Sequence, residues 1–270
     1  MDMPALQTLN AMLANNSSAA AIECGLSAGK FSFESATTFV VGGAPATVSL
    51  SGKPIEQWQT CYGEAGAVLD ISPPVAGRFI YLAVTGGIDT INVLGSRSTY
   101  VPAAIGGIDG RRLKSGDVLP CTARARRRHH VSDKLPAELL PSRNEGSIRW
   151  IPRDDMALTG EWTIGAASDR MGYRLEPDAR VEGASITSEP VCPGVIQLPP
   201  GGQPIVLMAD APTIGGYRIA GAVISSDLGA LAQKMPGERF VFEEVSLAEA
   251  QREVEKEATR VARVREWSLS

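Results

Sequence analysis

Two short stretches concentrate side chains that could act on a carbonyl or carboxylate. Ser96-Arg97-Ser98-Thr99 places one guanidinium and three hydroxyls in four consecutive positions. Arg is a rigid fork of donors and the hydroxyls orient freely, so the cluster suits an anionic or carbonyl oxygen. The second stretch, residues 188–217, carries Glu189, Gln197, Asp210, Thr213 and Tyr217 beside the pair Gly215-Gly216. A carboxylate, a hydroxyl and a flexible glycine pair at the end of an apolar strand are a common way to build a small-molecule site. Arg170, in Ser168-Asp169-Arg170-Met171-Gly172-Tyr173, can pair with a carboxylate of the fold or of a substrate. Each has a plainer reading: the hydroxyls and Asp210 cap local turns, and the arginines form structural ion pairs.

The elements that must position these groups read mostly as short strands. Residues 195–198 and 205–209 are apolar runs joined by a Pro-Pro-Gly-Gly turn. Residues 78–85, Arg-Phe-Ile-Tyr-Leu-Ala-Val-Thr, show no alternation and predict a central strand buried on both faces. Residues 21–24, 30–33, 38–41, 46–50 and 66–71 add further strands. The 28 glycines and 18 prolines fit many turns and more β than helix. Helices are expected only at residues 4–13 and at the C-terminus, where Ser246 and Glu249 form a capping box ahead of a 3–4 apolar spacing. The segments 77–83 and 202–208 echo each other weakly, as two related β units would.

Composition removes several function classes. The net charge of −4 gives no reason to expect nucleic acid or an anionic membrane as a partner. No apolar run is long enough to span a bilayer, and the first residues lack the basic region and apolar core of a secretory signal, so a cytoplasmic protein is expected. Cys24, Cys61, Cys121 and Cys192 are scattered without a Cys-x-x-Cys pair, which predicts buried free thiols and no metal site. Residues 122–144 change character: Arg124, Arg126, Arg127, Arg128, His129, His130 and Lys134 with two prolines read as a solvated connection. The glycine-rich region 106–116 matches no phosphate-binding fingerprint.

Six blocks in order carry a resemblance: residues 81–89, Leu94-Gly-Ser-Arg-Ser-Thr99, residues 106–117, residues 168–175, Gly194-Val-Ile-Gln-Leu-Pro199 and residues 202–217. Together they resemble the biotin-dependent carboxyltransferase-like family, also called allophanate hydrolase subunit 2, over about residues 1–250. The resemblance implies a mainly β protein of two cyclophilin-like β-barrel halves with a C-terminal helix. The expected division is a first β domain at 1–122, a basic linker at 123–147, a second β domain at 148–245 and a helix at 246–267. The family's Thr-Val-Gln-Asp-x-Gly-Arg segment has no counterpart, and Met1-Asp2 matches the Met-Asp that follows it. Either the start is set late or the first barrel lacks an edge strand.

The resemblance further implies work in a hetero-complex, with a smaller B-type partner of the same family and a lactam-utilisation-like A-type partner. The implied activity is ATP-dependent hydrolysis of 5-oxo-L-proline to L-glutamate. The alternatives are carboxyl transfer from carboxybiotin to urea or a related amide, and a non-catalytic regulatory role in a kinase-inhibitor-like pair. In either reaction a carbonyl must be polarised while an oxyanion or carboxylate is held. Asp210, Arg97 and Gln197 are the expected catalytic residues. Ser96, Ser98, Thr99, Arg170, Thr213 and Tyr217 are the expected substrate contacts, with Arg97 and Asp210 facing a bound amide from opposite sides. No cofactor is assigned to the chain itself: ATP belongs to the complex, and biotin to the carboxyl-transfer alternative.

Overall fold

The computed structural model describes residues 1–122, 134–142, 146–154, 156–177 and 181–270. It holds two compact units, Ala5–Pro141 with Thr259–Ser270, and Met1–Pro4 with Ser142–Ala258. The basic run from Arg124 to His130 lies outside the described residues.

The chain opens with α1 (Met3–Met12), followed by eight strands of the first unit. These are β1 (Ile22–Cys24), β2 (Lys30–Ser32), β3 (Thr37–Gly43), β4 (Val48–Leu50), β5 (Lys53–Ile55), β6 (Cys61–Gly63), β7 (Val68–Ile71) and β8 (Ile80–Val84). They pair as two four-stranded sheets, β1-β8-β3-β6 and β2-β7-β4-β5. All five residues of β8 are buried, as an apolar run without alternation requires when both faces are covered. Phe39, Val41, Leu69, Ile71, Ile80 and Leu82 form the centre of the core, where the rings of Phe33 and Phe39 stack 5.0 Å apart. Two buried asparagines fix the chain after α1. Asn15 donates to the carbonyl of Val84 at 2.8 Å and accepts from the N–H of Gly86 at 2.7 Å, while Asn10 donates to the carbonyl of Ala19 at 2.9 Å. Gly86, at φ +86°, has no room for a side chain, since a Cβ there would lie 2.2 Å from the carbonyl of Thr122.

Two closed barrels were the expectation for this fold, and the first unit departs from it. Its sheets are open, and among the described residues no strand joins the edges β1 to β6 or β2 to β5. The edge strands are three residues long, and β5 carries Pro54, which has no N–H to extend a ladder. Contacts beyond the edges shrink to single bridges such as Gln59 with Lys134 and Ile88 with Cys121.

Among the described residues only the second unit closes. Its elements are β9 (Ser147–Pro152), β10 (Glu161–Ile164), β11 (Gly172–Pro177), β12 (Ser185–Pro190), β13 (Val195–Leu198), β14 (Ile205–Leu207), β15 (Ile214–Val223), α2 (Leu228–Gln233) and β16 (Arg239–Glu244). The ring runs β9-β15-β13-β14-β11-β10-β16 and returns to β9, with β12 added on β15. Closure rests on β9, which pairs antiparallel with β15 and parallel with β16. At that seam a Cβ on Gly221 would lie 2.2 Å from the carbonyl of Ile151, so only glycine lets the strands approach. Trp150, Trp162, Tyr173 and Phe240 are buried, and Phe242 packs edge-on against Phe240 at 5.1 Å. The Pro199–Gly202 turn closes with a 2.9 Å bond from Gly202 N–H to the Pro199 carbonyl.

The last helix, α3 (Leu247–Trp267), begins with the expected capping box. The Ser246 N–H and hydroxyl donate to Glu249 at 2.8 and 2.7 Å, and the Glu249 N–H returns a bond to Ser246 Oγ. Among the described residues no helix is long and apolar enough to cross a membrane.

Candidate functional site

In the first unit, the arginine and hydroxyl cluster lies on a tight hairpin. Val93 and Ser96 exchange both backbone bonds, at 2.8 and 3.0 Å, around Leu94 and Gly95 at φ +52° and +83°. Ser96 Oγ accepts from the N–H of Ser98 at 3.1 Å, the turn-capping role that a serine there commonly takes. Thr99 packs on Gly107, where a Cβ would lie 1.9 Å from the threonine hydroxyl. Arg97 Nη1 donates to the carbonyl of Thr90 and pairs with Asp89 at 2.9 Å. The Arg97 side chain is 35% exposed. The cluster is thus a locally braced loop with one part-exposed cation.

The same loop is braced further on by Arg111, whose Nη1 and Nη2 donate to both oxygens of Asp117 at 2.8 and 2.9 Å. The N–H of Lys114 donates to Asp117 as well, at 2.9 Å. The Arg111 guanidinium first, and the Lys114 N–H second, hold the Asp117 carboxyl far below the usual carboxylate range. A carboxyl lowered in the folded state contributes its stabilisation above the unfolded pKa of about 3.9, and loses it only as pH falls through the lower folded value. The Lys114 amide resonance should therefore stay unchanged as pH is lowered from about 5 to about 3. A midpoint near the ordinary carboxyl value for that amide would show the bracing to be absent.

In the second unit, Asp210 meets Arg170. Arg170 Nε and Nη2 donate to the two carboxylate oxygens at 2.8 and 2.9 Å, and the Asp210 N–H donates to the Arg170 carbonyl at 2.8 Å. Two expected site residues are thereby joined. Thr213 accepts from the N–H of Val191 through its carbonyl and leaves its side chain exposed.

Gln197 lies elsewhere in this unit, on β13, with its side-chain amide packed against Gly215 of β15. It is 5% exposed and pairs with Ile219 across β13 and β15. Its Nε2 is fully buried and has no hydrogen-bond partner among the described residues. A Cβ on Gly215 would lie 2.1 Å from that Nε2 and 3.3 Å from Val191 Cγ1, so the amide fills the place of a side chain at 215. Strand alternation puts Gly215, Tyr217 and Ile219 on this one face. Tyr217, 39% exposed, is therefore on the Gln197 side of the strand. Glu189 is directly opposite Gly215 and joins the same face. Arg153 holds it, Nη1 to Oε1, at 2.7 Å. Glu189 was marked in the second stretch without a role of its own, and Arg153 was not marked. Their signal was the period of two through 215, 217 and 219, hidden because Gly215-Gly216 reads as a hinge rather than as strand.

The cysteines are all free, with Cys61 buried, Cys24 half-buried, and Cys121 and Cys192 exposed, which corrects the expectation that all four are buried. The two exposed thiols sit in turn-rich segments that no core covers. Burial, joined at Cys24 by the neighbouring Glu23, pushes the thiols of Cys24 and Cys61 up to about 11, away from nucleophile chemistry. Among the described residues no group of three His, Cys, Asp or Glu side chains comes together as a metal site would need.

The family model for the carboxyltransferase domain, subdomain A and B, matches residues 1–244. The chain belongs to this family. It is 37% identical to the C-type subunit of 5-oxoprolinase from Haemophilus influenzae, over 93% of its own length and 83% of that protein. The Escherichia coli protein of the same name is 35% identical over the same shares. Among solved structures it superimposes on the urea amidolyase of K. lactis with a TM-score of 0.88 at 25% identity, over 98% of this chain. The match takes up only 18% of that much larger chain. This carboxyltransferase-family chain thus resembles both most of a bacterial enzyme subunit and one segment of a far longer protein.

Proposed function

We propose that the chain is the carboxyltransferase-type part of a multi-subunit enzyme that works at the N–C=O group of a small amide. The observation that carries this reading is the buried Nε2 of Gln197, a donor with no partner among the described residues, in a domain of this family. A covered donor of this kind is costly to the fold and strong toward an acyl oxygen on which charge develops. Asp210 would handle a proton, with Arg170 fixing its orientation, and Tyr217 would position the substrate beside Gln197. Arg97, with Ser96, Ser98 and Thr99 around it, would hold an anionic group at its own loop. Thr213, with its side chain in solvent, would line the approach. ATP use is assigned to a partner protein, and biotin, in carboxyl transfer, would arrive on a carrier.

The family model and the superposition on a urea amidolyase favour carboxyl transfer to an amide. A second reading, ATP-dependent opening of 5-oxo-L-proline to L-glutamate, is favoured by the coverage of 83% of two bacterial 5-oxoprolinase subunits. Reconstitution separates the two. The chain should form a stable complex with a smaller protein of the same family, and either amide-dependent loss of carboxyl from carboxybiotin or ATP-dependent glutamate release should appear only in the assembled enzyme. A stable complex with neither activity sinks the proposal.

A further inference from the structure

The lobe at residues 90–118 of the first unit is held in one shape without a core of its own. Its only buried residues are Gly106 and Gly110, and apart from a 3-10 turn at Val101–Ala103 it contains no helix or strand. Turn nests on turn: Val93 bridges Ser96, Tyr100 bridges Ile105, and Ile108 bridges Arg111. Glycines let them touch, since a Cβ at Gly106 would lie 2.1 Å from the carbonyl oxygen of Ser98, and one at Gly110 would lie 2.1 Å from that of Ala104. Ion pairs of Arg97 with Asp89 and of Arg111 with Asp117 brace the two ends. On this frame Ile91, Leu94, Val101, Ile105, Leu113 and Val118 all stand exposed, from 43% at Ile105 and Leu113 to 102% at Leu94. Leu94 takes φ +52° and Gly95 φ +83°, in a two-residue hairpin turn whose first position favours Asn, Asp or Gly. A leucine there strains the backbone and meets only water, and no contact among the described residues offsets the strain. A long loop kept rigid in this way, with apolar side chains facing water, is built to be covered.

We propose that this lobe is the docking surface for a second protein, with Leu94 as its anchor. The occupant is the smaller protein of the same family invoked above, presenting an apolar face with carboxylates at its rim, and the proposal rests on that multi-subunit reading. Charge sets the sign of the rim. Residues 89–120 hold four arginine and lysine side chains against three aspartates, in a chain of net charge −4, and Arg112 and Lys114 are exposed on either side of Leu113. Isologous pairing with a second copy would set these cations against themselves. In solved relatives the matching domain makes up 49% of the TTHA0988 chain and 18% of the K. lactis urea amidolyase chain, so in both it is joined to further protein. Docking at Leu94 brings the second protein beside Arg97, three residues on, and screens from water the part-exposed cation to which an anionic group is assigned.

The test titrates the full chain with that smaller protein, reading Kd by calorimetry, and follows the melting temperature of the chain alone. Leu94→Asn supplies a residue that the turn favours, so the chain should melt no lower, while the complex should weaken by at least about tenfold, as loss of an apolar anchor does. Arg112→Glu should weaken the complex more at low salt than at high salt. Val75→Asn is the control, a 78% exposed residue of the same unit outside the lobe, and should leave the affinity as it is. An affinity untouched by Leu94→Asn, or a fall in melting temperature that accounts for the weaker binding, would overturn the proposal. Self-association of the chain that Leu94→Asn abolishes would overturn it in favour of a second copy. Turnover keeps the two ideas apart. An active complex indifferent to Leu94→Asn removes the docking surface and leaves the function. A complex that depends on Leu94 yet turns over no amide does the reverse, and no complex at all removes both.

Discussion

Asp227→Ala is expected to destabilise the second unit by about 3–5 kcal/mol, the usual cost of removing one member of a buried ion pair. Asp227 is 2% exposed, and donors from Arg149 converge on its carboxylate. Arg149 Nη2 reaches Oδ1 at 2.6 Å, Arg149 Nε reaches Oδ2 at 3.1 Å, and the Arg149 N–H reaches Oδ2 at 2.9 Å. Alanine would leave a covered guanidinium and a strand N–H without their acceptor. Arg149 also contacts Glu253 of α3 at 3.0 Å, so Glu253→Ala is the control. Glu253 is 23% exposed and shared with Lys256, and its loss should cost no more than about 1 kcal/mol. Urea unfolding followed by Trp fluorescence would read both variants. Equal costs for the two would show that the Asp227 carboxylate is not what ties β9 to the start of α2.

Asp227 also shows where reading residues in order stops. It stands at the N-cap of α2, where an aspartate is expected to cap the helix, yet its side chain makes no capping bond and is spent on Arg149 instead. Local features were legible: the doubly covered β8, the Pro199–Gly202 turn and the Ser246–Glu249 capping box follow from spacing within a few residues. Closure was not. It depends on Gly221 with Pro152 and on Val241 with Ser147, pairs far apart in the chain, and no periodicity records which edges meet. The echo between 77–83 and 202–208 suggested two like barrels. Instead β8 sits within an open sheet and β14 within a closed ring. The site was legible in part. Gln197, Tyr217, Arg170 and Asp210 were picked by type. The partners that give them meaning, Glu189 opposite Gly215 and Arg170 on Asp210, come from register and from a contact across 40 residues.

Gln197→Met is expected to move stability and activity in opposite directions. Methionine keeps the length and unbranched shape of glutamine and brings no hydrogen-bond demand to the covered place beside Gly215. Leaving a buried donor unmet costs about 1–3 kcal/mol, so the variant should gain about 1 kcal/mol in unfolding free energy once a little packing is lost. The same change removes the donor proposed for the acyl oxygen, and one such donor is worth about 10²-fold or more in turnover. The assembled enzyme should therefore be slower and its chain harder to unfold. Gln197→Glu is the companion: it keeps the shape, replaces the donor with an acceptor, and should lose turnover without the gain in stability. A purely structural glutamine cannot give this pattern, since removing it would cost stability and leave the rate per folded complex intact. A lower melting temperature for Gln197→Met together with unchanged turnover would place Gln197 in the architecture of the barrel and take the amide site with it.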